Sequence, residues 1–218
     1  MKKIRDGGWD YELYSGSSNV GILLIHEIFG LDDYIRDISK QLASAGFTVA
    51  AVDLYHGKYE SNLEKSFALR GSVTRHVLLD CMIRGLEILK KEIKVEPIVG
   101  AMGFCMGGGL ALYSSCHLDL GFAIVYYGSI EETEDMKSLK VPVLLIEGLE
   151  SDRDMTWVRE KFVPSVVKYK IRTDMHFYPR AGHAFHRPET ERHNPEAAKD
   201  AWAKTLTFLS QFNSSHSS

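Results

Sequence analysis

The chain has no surplus of positive charge. Its 26 Lys and Arg against 29 Asp and Glu leave a formal net charge of −3, so no basic field gathers a phosphate backbone and nucleic-acid binding has no electrostatic support. Long apolar runs are missing too. The longest, such as Val20-Gly21-Ile22-Leu23-Leu24-Ile25 and Val141-Pro142-Val143-Leu144-Leu145-Ile146, are of strand length, far below the ~20 residues that cross a bilayer, and no membrane role is expected. Behind the opening Met1-Lys2-Lys3-Ile4-Arg5-Asp6 there is no apolar stretch of the secretory kind. Cysteine is scarce: Cys81, Cys105 and Cys116 are odd in number and irregular in spacing, which points away from a disulfide framework and toward a reduced cytoplasm. No internal repeat and no linker rich in Pro, Gly or Ser interrupts the sequence. Its 218 residues, 44% hydrophobic, suit one substantial core, and a single domain over 1–218 is expected.

What is present is an alternation of short β-rich runs with longer helical patterns, the signature of a mostly parallel sheet covered by helices on both faces, an α/β fold. Strands are expected over 20–26, 47–53, 98–104, 122–127, 143–148 and 175–178. Each is nearly continuous in apolar residues, as strands buried on both faces should be. Helices are expected over 32–45, 62–91, 106–115, 155–167 and 195–212. In the last, Ala198, Trp202, Leu206 and Leu209 recur at helical spacing. The polar tail from Asn213 onward is expected to fray.

One stretch carries chemistry directly. Gly103-Phe104-Cys105-Met106-Gly107 follows the apolar run 98–102 and opens a helical pattern. A strand that turns sharply into a helix at G-x-nucleophile-x-G lifts the middle side chain above the sheet edge. Here that side chain is a thiol, which attacks only as thiolate and so needs a base, a cation or a helix N-terminus beside it. In open α/β sheets the chemistry gathers beyond the carboxyl ends of the strands. Five ends carry residues of interest: His26-Glu27, Asp53, Cys105, the 150–154 segment and Gly182-His183. A late loop histidine, His183, suits the base, and an acid on the loop after the 143–148 strand would hold its tautomer; both Asp152 and Asp154 lie there. Nucleophile, acid, histidine is the chain order of α/β-hydrolases.

These residues resemble the dienelactone hydrolase family, the carboxymethylenebutenolidase-like branch of α/β-hydrolases with a cysteine nucleophile. The likeness runs from His26-Glu27-Ile28-Phe29-Gly30 through Asp53-Leu54-Tyr55 and Gly103-Phe104-Cys105-Met106-Gly107-Gly108 to Gly182-His183-Ala184-Phe185-His186-Arg187. It implies a hydrolase of small carboxylate-bearing lactones or esters, working through an acyl-cysteine with no metal or organic cofactor. By the same resemblance Cys105, Asp152 and His183 form the triad. The family's Gly-x-x-Asp spacing favours Asp152 over Asp154, although the loop Gly148-Leu149-Glu150-Ser151-Asp152-Arg153-Asp154 is one residue longer. The amides of Ile28 and Met106 form the oxyanion hole, Glu27 contacts the resting thiol and activates it, and Arg187 binds the substrate carboxylate. A second carboxylate-binding arginine falls on Arg70 or Arg75. Tyr55 lines the pocket.

Plainer readings stand beside these. Cys81 and Cys116 sit in helical patterns and suit packing. His183 and His186 are spaced as a metal pair, but zinc needs three or four converging ligands and no further cluster is near. Asp53 suits shaping the pocket floor, and Tyr126 and Tyr127 either border the cleft or belong to the core. Two other functions fit the elbow: an esterase or thioesterase acting on uncharged substrates, and a thiol redox sensor without turnover. Oligomeric state is not legible.

Overall fold

The computed structural model describes residues 1–213; the tail beyond Asn213, expected to fray, lies outside the described residues. The apolar runs form the middle of an eight-stranded sheet: β1 (Lys2–Asp6), β2 (Trp9–Tyr14), β3 (Val20–Ile25), β4 (Thr48–Asp53), β5 (Ile98–Phe104), β6 (Ala123–Tyr126), β7 (Val143–Gly148) and β8 (Thr173–Tyr178). Their order is β1-β2-β4-β3-β5-β6-β7-β8. From β4 to β8 every pairing is parallel, while β2 runs antiparallel to β4 and to β1. β3, β4, β6 and β7 are buried along their whole length, which is why they read as unbroken apolar runs.

The helices are α1 (Asp33–Ser44), α2 (Leu63–Gly71), α3 (Arg75–Glu92), α4 (Met106–His117), α5 (Asp152–Trp157), α6 (Val163–Tyr169) and α7 (Pro195–Ser210). Two cores result, one on each face of the sheet. Leu78, Met82, Leu112 and Phe162 belong to one, and Ile35, Leu42, Ala201 and Phe208 to the other. Cys81 and Cys116 are buried in the first, as packing residues.

Three of the departures from the sequence-based expectations have a plain local cause. The hairpin β1-β2 was not anticipated: it turns at Gly7 and Gly8, with φ +56° and +92°, the backbone that a two-residue hairpin turn demands, but its outer strand is mostly exposed and polar. The single helix expected over 62–91 is two. Gly71 ends α2, and Thr74 starts α3 anew by accepting a hydrogen bond from the Val77 amide at 3.2 Å. The helix expected over 155–167 begins at Asp152 and widens into a π-turn at Val158–Phe162. Pro164 lacks the N–H that would continue a regular α-ladder across that turn.

Candidate active site

β5 delivers Cys105 to the sheet edge in a conformation few side chains adopt, φ +53° and ψ −119°. Glycine is required on both sides. A Cβ on Gly103 would collide with the Gly107 carbonyl, and one on Gly107 with the carbonyls of Ile25 and His26. The chain therefore crosses itself backbone to backbone, and the cost of the positive φ is carried by the surrounding sheet. Met106, the first residue of α4, has an N–H that no carbonyl of its own helix can take. The end of β3, at Ile25 and His26, lies against this helix start, as the Gly107 contacts require.

His183 reaches the same place from the loop after β8. That loop is laced to the one after β7: the Leu149 amide donates to Tyr178 O at 3.0 Å and the Glu150 amide to Ala181 O at 2.9 Å. His183 Nε2 lies 3.1 Å from Cys105 Sγ, and Nδ1 lies 2.7 Å from Asp154 Oδ2. The acid in contact is thus Asp154 and not Asp152, which corrects the register expectation. Asp152 is exposed at the start of α5, whereas Asp154 is 3% exposed. The helix starts two residues before Asp154, and helical side chains tilt toward the helix N-terminus. Asp154 therefore reaches back to Ser151, whose Oγ donates at 2.6 Å, and to His183.

Burial works against a charge on His183, but its hydrogen bonds to Asp154 and Cys105 outweigh burial and push its pKa up to about 10. For Asp154, burial opposes ionisation, yet the bonds from His183 and Ser151 and the charge of Arg153 hold its carboxyl below the usual range. Cys105, His183 and Asp154 thus stand in series at hydrogen-bond distance, thiol to imidazole to carboxylate.

Asp53 braces the turn after β4: its carboxylate accepts from the amides of Tyr55 at 3.0 Å and Gly57 at 2.6 Å. This turn aims Tyr55 at the elbow, where its hydroxyl donates to Met106 Sδ at 3.4 Å. His26 is buried and kept neutral by desolvation. Its Nδ1–H donates to Glu27 O at 2.6 Å and its Nε2 accepts from the Leu54 amide at 3.3 Å, tying β3 to β4. Tyr126 and Tyr127 both belong to the core; Tyr126 bonds Thr205, and Tyr127 packs its ring 5.2 Å from that of His183. His186 bonds Tyr34 and is pushed down to about 4 by burial. Among the described residues no three His, Cys, Asp or Glu converge as metal ligands do.

Glu27 and Arg187 sit together. Arg187 Nη1 donates to Glu27 Oε2 at 2.7 Å and Nη2 to Asp32 Oδ2 at 2.6 Å, while Nε lies 3.3 Å from Glu189. The carboxylate of Glu27 is engaged by Arg187, and the guanidinium expected for substrate is filled by side chains of this chain. Asp32 was overlooked in the sequence because it reads as an ordinary helix cap, and it is also that: its Oδ1 accepts from the Ile35 amide at 3.1 Å. Of the two alternatives for a second arginine, Arg75 is paired with Glu132 at 2.6 Å. Arg70 acts electrostatically on Tyr55.

Glu147 was also missed, although a carboxylate inside Val143-Leu144-Leu145-Ile146-Glu147-Gly148 was the available signal. It is fully buried, and among the described residues neither oxygen has a hydrogen-bond partner. Burial, and then the charge of Asp154, raise its pKa well above 4.5. The folded state therefore holds a proton that the unfolded state releases above about pH 4.5. Each further pH unit, up to the folded-state value, costs the native state about 1.4 kcal/mol. Glu147→Gln is expected to remove this slope, so that urea midpoints match wild type near pH 4 and exceed it at pH 8. Parallel curves for the two proteins would refute the assignment.

A nucleophile-type elbow at the centre of a mostly parallel sheet, with a histidine and a carboxylate on loops after two later strands, defines the α/β-hydrolase fold. The comparisons narrow the class. The family model described as "Dienelactone hydrolase family" matches residues 13–213, and the chain belongs to that family of lactone and ester hydrolases. A Saccharolobus solfataricus protein named "Putative carboxymethylenebutenolidase" is 28% identical, over 87% of this chain and 88% of its own length. A Bradyrhizobium sp protein named "Probable 2-oxo-3-(5-oxofuran-2-ylidene)propanoate lactonase" is 28% identical over 86% and 82%. The solved structure named "m3DLH" superposes with a TM-score of 0.84 over 98% of both chains, at 21% identity, and attests the fold.

Proposed function

We propose that the protein hydrolyses small carboxylate-bearing lactones or esters through an acyl-cysteine. The observation that carries this reading is the 3.1 Å approach of His183 Nε2 to Cys105 Sγ, with Asp154 behind the ring. The thiol proton passes to Nε2, and the thiolate attacks the carbonyl carbon. The oxyanion rests on the amides of Ile28 and Met106, an interaction commonly accounting for ~3 kcal/mol per donor. Collapse breaks the C–O bond, and the leaving oxygen takes the proton from Nε2; in a lactone it stays tethered to the acyl group. Water then gives a proton to His183 and attacks the thioester, and the thiolate leaves and is reprotonated. Tyr55 reaches Met106 at the elbow, and Arg70, whose charge acts on Tyr55, is the cation suited to a substrate carboxylate. Glu27 supports attack by staying on Arg187, which leaves Cys105 facing His183.

A second reading has one specific observation behind it: Arg187 is already taken by Glu27 and Asp32, which favours an esterase of uncharged substrates. The test compares kcat/KM for a dienelactone and for an uncharged p-nitrophenyl ester, with acid-quenched samples mapped by mass for an acyl group on the Cys105 peptide. The expected result is a preference for the lactone of at least about tenfold, near 1.4 kcal/mol, with the adduct on Cys105. Preference for the neutral ester with the same adduct would keep the cysteine and discard the substrate. Turnover of either substrate with no adduct on Cys105 would overturn the mechanism.

A further inference from the structure

Arg153 is exposed over 75% of its side chain, yet it is turned inward onto the acid of the array. Its Nε and Nη2 lie 3.2 and 3.1 Å from Asp154 Oδ1, while Ser151 and His183 occupy Oδ2. Nη2 also comes within 3.4 Å of His183 Nδ1. Nδ1 carries the proton given to Asp154, so this approach is two donors crowding one carboxylate, and an imidazolium there faces a like charge. Nothing else in the sequence logic of a hydrolase asks for a cation at this point.

We propose that Arg153 is a positioning and charge-tuning residue for His183, clamping Asp154 by its second oxygen and keeping the imidazole ready to release its proton for deacylation. This rests on the hydrolase reading above. In the free protein the Asp154 carboxylate favours the imidazolium that forms when Cys105 gives up its proton, which assists formation of the nucleophile. Once Cys105 is acylated its sulfur is a neutral thioester, and His183 must be neutral to take a proton from water. A strongly basic His183 would stall there. Arg153 shares the charge of Asp154 and repels the imidazolium, so it opposes that stall. It also keeps Asp154 ionised against burial when His183 is neutral. The groups facing His183 are Asp154 and Arg153 from α5, Cys105 at the elbow, Glu147 from β7, Tyr127 after β6 and Glu27 after β3. Arg153 is the cation among those in direct contact.

The test is Arg153→Gln with Arg153→Lys as the conservative control, using a neutral p-nitrophenyl ester so that substrate charge plays no part. Loss of the guanidinium raises the affinity of both His183 and Asp154 for protons, so both effects move the acidic limb of kcat upward. A shift of roughly one pH unit is expected, lowering kcat about tenfold below the limb. KM should fall with kcat below the limb, leaving kcat/KM nearly unchanged as a slowed deacylation requires, and the rates should converge with wild type above the limb, while Lys restores most of the profile. In parallel, NMR titration of the His183 ring without substrate should move upward in Arg153→Gln. Superimposed profiles and titrations would overturn the proposal, as would an equal loss of kcat at every pH with an unmoved titration. If wild type turns over no ester but the titration moves, the charge role stands and the hydrolase reading falls. If wild type turns over the ester and the titration does not move, only the present proposal falls.

Discussion

Asp154→Asn is expected to lower kcat about 10⁴-fold, whereas Asp152→Asn changes it by less than about twofold. The amide keeps the shape of the side chain, so the loop and Ser151 have no steric reason to move. What changes is the hydrogen bond at 2.7 Å to His183 Nδ1. A carboxylate there fixes the proton on Nδ1 and leaves Nε2 free to accept from Cys105 Sγ. An amide can present its NH₂ instead and favour the opposite tautomer, in which Nε2 already bears a proton and cannot act as a base. The charge that holds His183 up to about 10 is lost as well. Asp152, exposed on the first turn of α5, has no such partner among the described residues. Cys105→Ala is expected to fall further still, to the uncatalysed background, because no covalent intermediate remains. The measurement is kcat for the three variants, with thermal melts confirming that each is folded. Equal losses in Asp152→Asn and Asp154→Asn, or activity surviving in Cys105→Ala, would sink the assignment.

The contrast between the two aspartates also marks how far the sequence could be read. The central strands were legible because burial on both faces leaves an unmistakable apolar run, and the elbow was legible because Gly103 and Gly107 are forced by backbone crossings. The acid was not, because its choice depends on where α5 starts. That helix begins at Asp152, and only its direction aims Asp154 at His183. Pairing was hidden in the same way. Arg187 stands 160 residues from Glu27 and 155 from Asp32, and no periodicity reports a contact at that separation. The residues around Arg187 resembled a family motif closely enough to suggest a substrate contact, while the sequence held no sign that two carboxylates of the same chain occupy the fork.

That occupied fork leads to the second large effect. Arg187→Ala is expected to destabilise the protein by about 3–5 kcal/mol, because it leaves two buried carboxylates facing one another without a counter-charge. For a domain of this size that amounts to roughly 10 °C in Tm. The side chain is 11% exposed, Glu27 is 3% and Asp32 9% exposed, and the guanidinium lies 5.5 Å over the Phe29 ring and 5.0 Å over that of Tyr34, so no water replaces it readily. The pH dependence has a definite sign. Burial already raises the pKa of Glu27 above 4.5, against the pull of Arg187, and removing the cation raises it further. A carboxyl with a raised folded-state pKa makes stability fall as pH climbs past the unfolded value. The deficit of the variant should therefore be small below about pH 4.5 and grow toward neutrality. Arg187→Lys keeps a charge but cannot bridge both carboxylates, and should recover only part of the loss. Glu27→Gln combined with Arg187→Met removes the stranded charge on one side and should recover more than Arg187→Ala. A substrate-binding arginine alone would behave otherwise: its removal would leave Tm unchanged at every pH and raise KM only for substrates that carry a carboxylate. Chemical denaturation across pH, run beside KM for charged and uncharged esters, separates a buried clamp from a binding residue.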